Sequence, residues 1–377
     1  MGIKQRMMEY FLNKSGSYMF YKKQYEMSKK NTYKAPSQNQ CIVVDNYNND
    51  EITKLKTSFN QYKMITDEYL DSYNHLFNTI FLDYKLEPKP LLGRLQGICT
   101  EMLAFCDNVC KKYDLQWWLD FGNLIGAARH EGFVPWDDDT DIGMMRADYL
   151  KFKEVITVEL KKNNLEDIIT ISYRKRPVNC DIAGSPNIKT FMQLFIVDKD
   201  ENDKRALLAG VDIFTYDFLK DFDPKTIDSL YYETKLKFYE DLHSDIGMEK
   251  SIENYYKNLN LSFDESKYVM HGVEGACGPR NIYKMLIVDK NTLFPLKRMK
   301  FMDKMFPCPN DYDTYLKTVY GDYMKIPKSI RTHNRVTNFR YIGGAEEKFQ
   351  HYIDILKEAN ENLNSNLYAV EGKYGCS

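Results

Sequence analysis

The spacing of apolar residues divides this chain into helical and extended stretches. From 51 to about 84 they recur at helical intervals, predicting one long helix that Pro88 and Pro90 bring to an end. A second helix follows over 95–113, in which Cys99, Cys106 and Cys110 fall at helix-compatible spacings. A strand ending at 119–121 then meets Gly122 and Asn123, which predict a turn and a helix onset after it. Extended character returns at Ile142-Gly143-Met144-Met145. A further strand covers 191–197, the polar run 198–203 reads as a turn, and Gly210-Val211-Asp212-Ile213-Phe214 reads as the next strand. The Tyr- and Lys-rich region 228–268 reads as helices and carries no recognisable motif. From 294 to 323 the pattern gives a short strand or two and a helix over 312–320, and 346–362 reads as a terminal helix. There is no internal repeat or low-complexity tract.

The first ninety residues stand apart. Residues 1–30 hold seven Lys/Arg against two Glu, interleaved with Met, Tyr, Phe and Leu. That pattern fits a basic amphipathic helix touching an anionic membrane face, and equally a helix packed on the domain or a loose arm. A polar stretch over 31–50 with Pro36 reads as a linker. The expected organisation is a helical extension over 1–90, a catalytic domain over 91–340 with a helical insertion at about 228–268, and a C-terminal helix and tail over 341–377.

Chemistry concentrates in one short segment. Asp137, Asp138, Asp139 and Asp141 lie within five residues, and carboxylates so close repel one another unless protonated or neutralised by a cation. An all-oxygen set suits Mg²⁺ or Mn²⁺, as one or two ions, rather than zinc. In an extended segment Asp139 and Asp141 share a face, with Asp138 opposite, so the first two are the better ligand pair. Pro135 suggests that Trp136 enters the cluster extended. A bare Asp run is usually a solvated loop, but this one sits between the apolar runs 133–136 and 142–145, which places it beside a core.

Just upstream, Gly122 and Gly126 punctuate an apolar segment. A turn there would free backbone N–H groups for a phosphate, and the following helix would add its positive end. Arg129 and His130 offer further donors. Downstream, Asp212 is an acid between Val211 and Ile213, and a lone acid in such a strand needs a partner: a metal, a salt bridge or a cap.

These residues resemble a known family. The run from Gly122-Asn123-Leu124-Ile125-Gly126 through Gly132-Phe133-Val134-Pro135-Trp136-Asp137-Asp138-Asp139-Thr140-Asp141 resembles the signature of the LicD family, in the nucleotidyltransferase-like superfamily, with fukutins as distant relatives. Gly210–Phe214 matches its later Asp-Ile-Phe element. Leu293-Phe294-Pro295-Leu296 with Tyr320-Gly321-Asp322-Tyr323-Met324 matches its C-terminal signature. The resemblance runs from about 94 to 333. It implies an α+β fold: a small mixed sheet flanked by helices, with N-terminal and inserted helical segments. It also implies metal-binding carboxylates at Asp139, Asp141 and Asp212, and loosely places Arg331 and His333 where the family often carries basic residues. Asn123 stands where the superfamily usually has Ser, Thr or Gly, so its amide replaces a hydroxyl or backbone contact.

The implied activity is transfer of phosphocholine, or a related phospho-alcohol, from CDP-choline or another CDP-alcohol to a hydroxyl of a cell-surface glycan or its lipid-linked precursor, releasing CMP. Asp138 or Asp212 would take the hydroxyl proton. Trp136 is the nearest candidate for an aromatic contact to choline, and equally for core filling. Two alternatives use the same residues: passage of the nucleoside monophosphate itself, and a glycosyltransferase whose Asp-x-Asp pair holds a sugar nucleotide.

Composition narrows the field further. The 377 residues carry 52 Lys+Arg against 54 Asp+Glu, a balance that predicts no nucleic-acid binding. The eight cysteines show no metal-ligand spacing and read as buried thiols of a reducing compartment. No run approaches ~20 apolar residues, so the expected location is cytoplasmic, with contact at the inner membrane face through residues 1–30.

Overall fold

The computed structural model describes residues 38–81, 90–177, 187–199, 205–242, 246, 248–274, 286–325 and 343–374. Two units are distinguished, Met1–Tyr73 and Asn74–Ser377. The helix α1 (Gln38–Phe81) is the described part of the first and runs on into the second. It starts at Gln38, so residues 38–50, expected as linker, are helical. Neither Gly nor Pro occurs between Gln38 and Phe81. Extending an existing helix costs far less than nucleating one, so nothing halts it there. Residues 1–30, with their expected membrane contact, lie outside the described residues.

The second unit is built on α2 (Pro90–Lys112), which begins on a proline at the position where its missing N–H costs nothing. Leu95, Ile98, Cys99, Met102, Cys106 and Val109 form its buried stripe. Cys99, Cys106, Cys110 and Cys308 are buried, and burial pushes the Cys106 thiol up to about 12. Along α2 packs the C-terminal helix, which extends beyond its expected end to Tyr374.

The sheet is mixed and eight-stranded. Five of its strands are β1 (Trp118–Leu119), β2 (Thr140–Met145), β3 (Ile169–Pro177), β4 (Asn187–Lys199) and β5 (Arg205–Leu219), in the spatial order β1-β2-β5-β4-β3. Among the described residues only β2 and β5 run parallel; β1 pairs antiparallel with β2, β4 with β5, and β3 with β4. Two helices interrupt the first strands: α3 (Phe121–His130) between β1 and β2, and α4 (Arg146–Lys162) after β2. Such a small mixed sheet flanked by helices is the α+β architecture expected.

Beyond β5 come α5 (Ile227–Leu242) and α6 (Met248–Leu259), the helices read from 228–268. The short strands β6 (Leu261–Ser262) and β7 (Tyr268–His271) then return to the far end of β5, and β8 (Ile287–Asp289) pairs with β7. This region has its own apolar cluster, including Tyr231, Phe238, Tyr239, Tyr255 and Leu259. A buried ion cluster ties it to the sheet: Arg146 donates to Asp217 Oδ1 and Oδ2 at 2.5 and 2.8 Å and to Glu274 at 2.8 and 2.9 Å. Two edges of the guanidinium, and all three of its nitrogens, are thus matched, which is what makes its burial tolerable.

The chain continues through α7 (Lys290–Leu293) and the hairpin β9 (Lys297–Phe301) and β10 (Lys304–Cys308) to α8 (Tyr312–Tyr320), and closes with α9 (Ala345–Tyr374). Among the described residues no helix is long and apolar enough to cross a membrane. The elements α4, β3, β7 and β8 were not apparent from the pattern. Charged residues at 174–176 mask β3, and β7 and β8 span only four and three residues.

The join of α9 to α2 is polar at its centre. Asn360 accepts from Asn108 Nδ2 at 3.1 Å and donates to Glu101 O and Oε2, each at 3.0 Å, all of these residues buried. Replacing it strands several buried groups at once. Asn360→Ala should therefore destabilise the second unit by about 2–4 kcal/mol, read by chemical denaturation.

Candidate functional site

One row of polar residues crosses the middle of the sheet. Asp141 on β2 lies directly opposite Asp212 on the parallel strand β5, and Asp212 lies directly opposite Gln193 on β4. Residues opposed in this way project to the same face. At the other end, the backbone N–H of Asp120 donates to Asp141 O at 3.1 Å, continuing the β1–β2 ladder. Thr140 fixes the register, its buried hydroxyl donating to Gly210 O at 2.7 Å. Two acids far apart in sequence are thereby brought side by side.

The remaining acids arrive on the loop before β2. Asp137, Asp138 and Asp139 each offer an oxygen within 4.8 Å of the others. Asp138 is buried, and the other two are half-buried. The loop enters through a closed turn, Asp137 N donating to Val134 O at 2.8 Å, rather than extended as Pro135 suggested. The proline fixes its own φ and is well suited to the second position of such a turn. From α2, Gln96 Nε2 donates to Asp137 O at 2.9 Å and holds the loop down.

Gly122 and Gly126 act by letting this loop approach. The helix α3 already begins at Phe121, so Gly122 and Asn123 belong to its first turn rather than to a turn before it. A Cβ on Gly122 would stand 2.9 Å from Asp137 Oδ2, and one on Gly126 2.3 Å from Gly132 O. The side chain of Asn123 takes up the Asp141 N–H through Oδ1, which leaves its Nδ2 donor buried and without a partner among the described residues. An orphaned donor beside four carboxylates marks a place for an anionic group.

Electrostatics follows from the crowding. Burial, reinforced by Asp139, Asp212, Asp137 and Asp120, raises the Asp141 carboxyl well above the usual range; burial and Asp139 do the same to Asp137. Asp120 belongs to this group and was missed in the sequence. It accepts from Phe121 N at 2.9 Å and from the hydroxyls of Tyr216 and Tyr315, the latter at 3.0 Å, yet burial pushes it up to about 6. The signal was available, since Leu119-Asp120-Phe121 is the same apolar–acid–apolar pattern that singled out Asp212. Gln193 was also missed. Its Nε2 donates to Asp212 Oδ1 at 2.8 Å and orients that carboxylate.

The other expected residues sit elsewhere. Arg129 lies in the last turn of α3, away from the acids, and its Nη1 donates to Tyr323 O at 3.0 Å and Lys325 O at 3.4 Å. It thereby fastens the turn after α8 through Nη1. His130 is exposed and receives Arg129 Nε at 3.2 Å; burial of its ring edge and that guanidinium lower it to about 4. Trp136 is half-buried in the Val134–Asp137 turn and enters no ring pair among the described residues. Arg331 and His333 lie outside the described residues.

An aromatic face adjoins the acids instead. Alternation along β5 puts Phe214 and Tyr216 on the face that carries Asp212. Phe214 packs on Phe191 with centroids 4.4 Å apart and on Phe121, at the head of α3, at 4.9 Å. Phe121 in turn stacks on His271 at 5.7 Å and 7°. His271 is buried with neither ring nitrogen hydrogen-bonded among the described residues, and burial lowers it to about 3, so the ring is neutral at physiological pH.

Acids on two parallel neighbouring strands, faced by the first turn of a short glycine-bearing helix, form a nucleotidyltransferase-like core. The nucleotidyltransferase domain of the LicD/FKTN/FKRP family matches residues 114–216. That span includes every described acid of the cluster. The lipopolysaccharide cholinephosphotransferase LicD of Haemophilus influenzae is 24% identical over 259 residues, covering 63% of this chain and 93% of that protein. An uncharacterized protein of Rickettsia prowazekii is 33% identical over 120 residues, 32% of this chain and 38% of that protein. The ribitol 5-phosphate transferase FKRP of Homo sapiens is 38% identical over 48 residues, 13% of this chain and 10% of that protein.

A raised carboxyl in the native state binds protons that the unfolded chain has released, so its effect on stability worsens as pH climbs from the unfolded value near 4 through the raised one. Asp141→Asn removes that effect at one position. The variant, free of added metal, should be about 1–2 kcal/mol more stable than the parent at pH 7.5 and gain little at pH 4, measured by thermal unfolding across pH.

Proposed function

We propose that this chain is a metal-dependent transferase that moves phosphocholine or a related phospho-alcohol from a CDP-activated donor to a hydroxyl of a glycan or lipid-linked glycan, releasing CMP. One observation carries the reading: Asp141 stands opposite Asp212 on parallel strands, beside the Asp137–Asp139 loop and the unpartnered Asn123 amide. The similarity to a lipopolysaccharide cholinephosphotransferase supports the donor class, and the shorter match to a ribitol 5-phosphate transferase keeps other CDP-alcohols in view.

The donor set fits a hard divalent ion, Mg²⁺ or Mn²⁺, because it is all oxygen and its members raise one another's pKa when no cation is present. Asp139, Asp141 and Asp212 would hold it. When bound, such an ion supplies positive charge to the diphosphate oxygens. Asn123 Nδ2 donates to a phosphate oxygen, and the first-turn N–H groups of α3 add their partial positive charge. The loop and sheet hold donor and acceptor in line, so positioning and electrostatics dominate the rate. Asp212, half-buried and oriented by Gln193, takes the proton of the attacking hydroxyl; Asp138 is too deeply buried for that role. Asp120 and its two tyrosines support the head of α3.

Selection of the alcohol falls to Phe121, Phe191 and Phe214 rather than to Trp136. Phe214 stands two residues from Asp212 on the same face of β5, with Phe191 and Phe121 packed on it, and a quaternary ammonium is attracted to aromatic faces by about 0.5–2 kcal/mol per contact. Neutral His271 adds no repulsion. Phe121→Leu should raise KM for CDP-choline about 3- to 30-fold, with a smaller change in kcat and weaker discrimination against CDP-ethanolamine.

Asp139→Ala and Asp141→Ala should each abolish metal-dependent CMP release from CDP-choline while unfolding cooperatively; turnover retained by either would reject the ligand assignment. Because the raised carboxyls must shed protons to bind a cation, Mn²⁺ should raise the melting midpoint more at pH 8 than at pH 6. A thermal-shift panel of CDP-choline, CDP-ribitol and other CDP-alcohols identifies the donor. Label placed on choline and on cytidine separates phospho-alcohol transfer from nucleotidyl transfer, the former sending only the choline label into product.

A further inference from the structure

The helix α1 carries a large apolar surface. Ile52, Leu55, Phe59 and Tyr62 are 48–65% exposed, and so are Tyr69, Tyr73 and Leu76 beyond them. Their spacing alternates three and four, with half-buried Thr66 filling the single missing step. A repeat of 3.5 residues holds one narrow seam along three and a half heptads, whereas a helix laid on a globular core or a bilayer shows a wider stripe at 3.6. Taking Ile52 as position a, the β-branched Ile52 and Thr66 occupy a, and leucines at 55 and 76 occupy d, a combination that favours parallel pairs.

Charge distinguishes the possible occupants. From 51 to 76 the helix holds Lys54, Lys56 and Lys63 against Glu51, Asp67, Glu68 and Asp71. That balance gives no attraction to an anionic lipid face. It is self-complementary across a parallel seam: Glu51 at position g meets Lys56 at position e of another copy, and Ile65 at g meets Leu70 at e in the same relation, both exposed apolar residues. The seam would cover on the order of 800 Å² per chain, the size of a standard specific interface.

We propose that α1 pairs with α1 of a second copy of this chain as a parallel, in-register two-stranded coiled coil over residues 52–76. The pairing does not depend on the reaction catalysed.

The test is the association state of the full chain by sedimentation velocity. The parent should be a dimer. The triple substitution Leu55→Asp, Tyr62→Asp and Tyr69→Asp should be a monomer whose second unit melts at the parent's temperature. Glu51→Lys alone and Lys56→Glu alone should each raise the dimer dissociation constant about tenfold, from two symmetric contacts made repulsive, and the double reversal should restore it. A monomeric parent overturns the proposal, as does a dimer that survives the triple substitution. Single charge reversals without effect, or without rescue, overturn the parallel register. Binding of the parent to vesicles containing phosphatidylserine, lost in the triple variant, assigns the seam to a membrane and overturns it too.

Discussion

Packing several carboxylates against one another at the edge of a core is the constraint on which the site depends. Each acid alone would be a tolerable surface group. Together burial, Asp139 and Asp212 hold the carboxyls of Asp137 and Asp141 high, Asp139 acting on both and Asp212 on Asp141, and the scaffold must resist that repulsion. Gln96 anchors the loop, Thr140 locks the strand register, Gln193 orients Asp212, and Asn123 caps Asp141. A site held together against its own charge is suited to a cation, and fold stability is given up to keep the acids together.

Much of the scaffold exists to bring the head of α3 and the acid loop to the same point. The small residues at 122 and 126 permit contacts that any side chain would block, and Asp120 closes the helix start through a network of Tyr216, Tyr315 and Trp118. Tyr315 comes from α8, almost two hundred residues on, so the C-terminal elements brace the catalytic helix directly. Arg129 does the same from the helix's other end, gripping the turn after α8. The arginine of the motif is in this respect a strut.

The N-terminal helix follows a different logic from the domain after it. In the domain, most apolar residues are covered by neighbours in the same chain, and the exposed ones are scattered. On α1 they remain open along a straight seam. An apolar surface of that length in water calls for a partner, and its period and charges describe what kind.

The sequence by itself determined the local chemistry: four acids in five residues, the glycines before them, the isolated acid at 212, the helices at 95–113 and 312–320, and an α+β core. These are legible because spacing within one element is read directly from the chain, through the periods of helix and strand. It left Asp120 and Gln193 unnoticed, although each is a lone polar residue in an apolar strand, because one such residue does not reveal what it will meet. Only the tertiary structure decided that Asp141 and Asp212 are neighbours, that Arg129 turns away from them, and that Phe121, Phe191 and Phe214 rather than Trp136 line the adjoining face. Those outcomes rest on strand order and register, set by the packing of the whole core and written in no single stretch of chain.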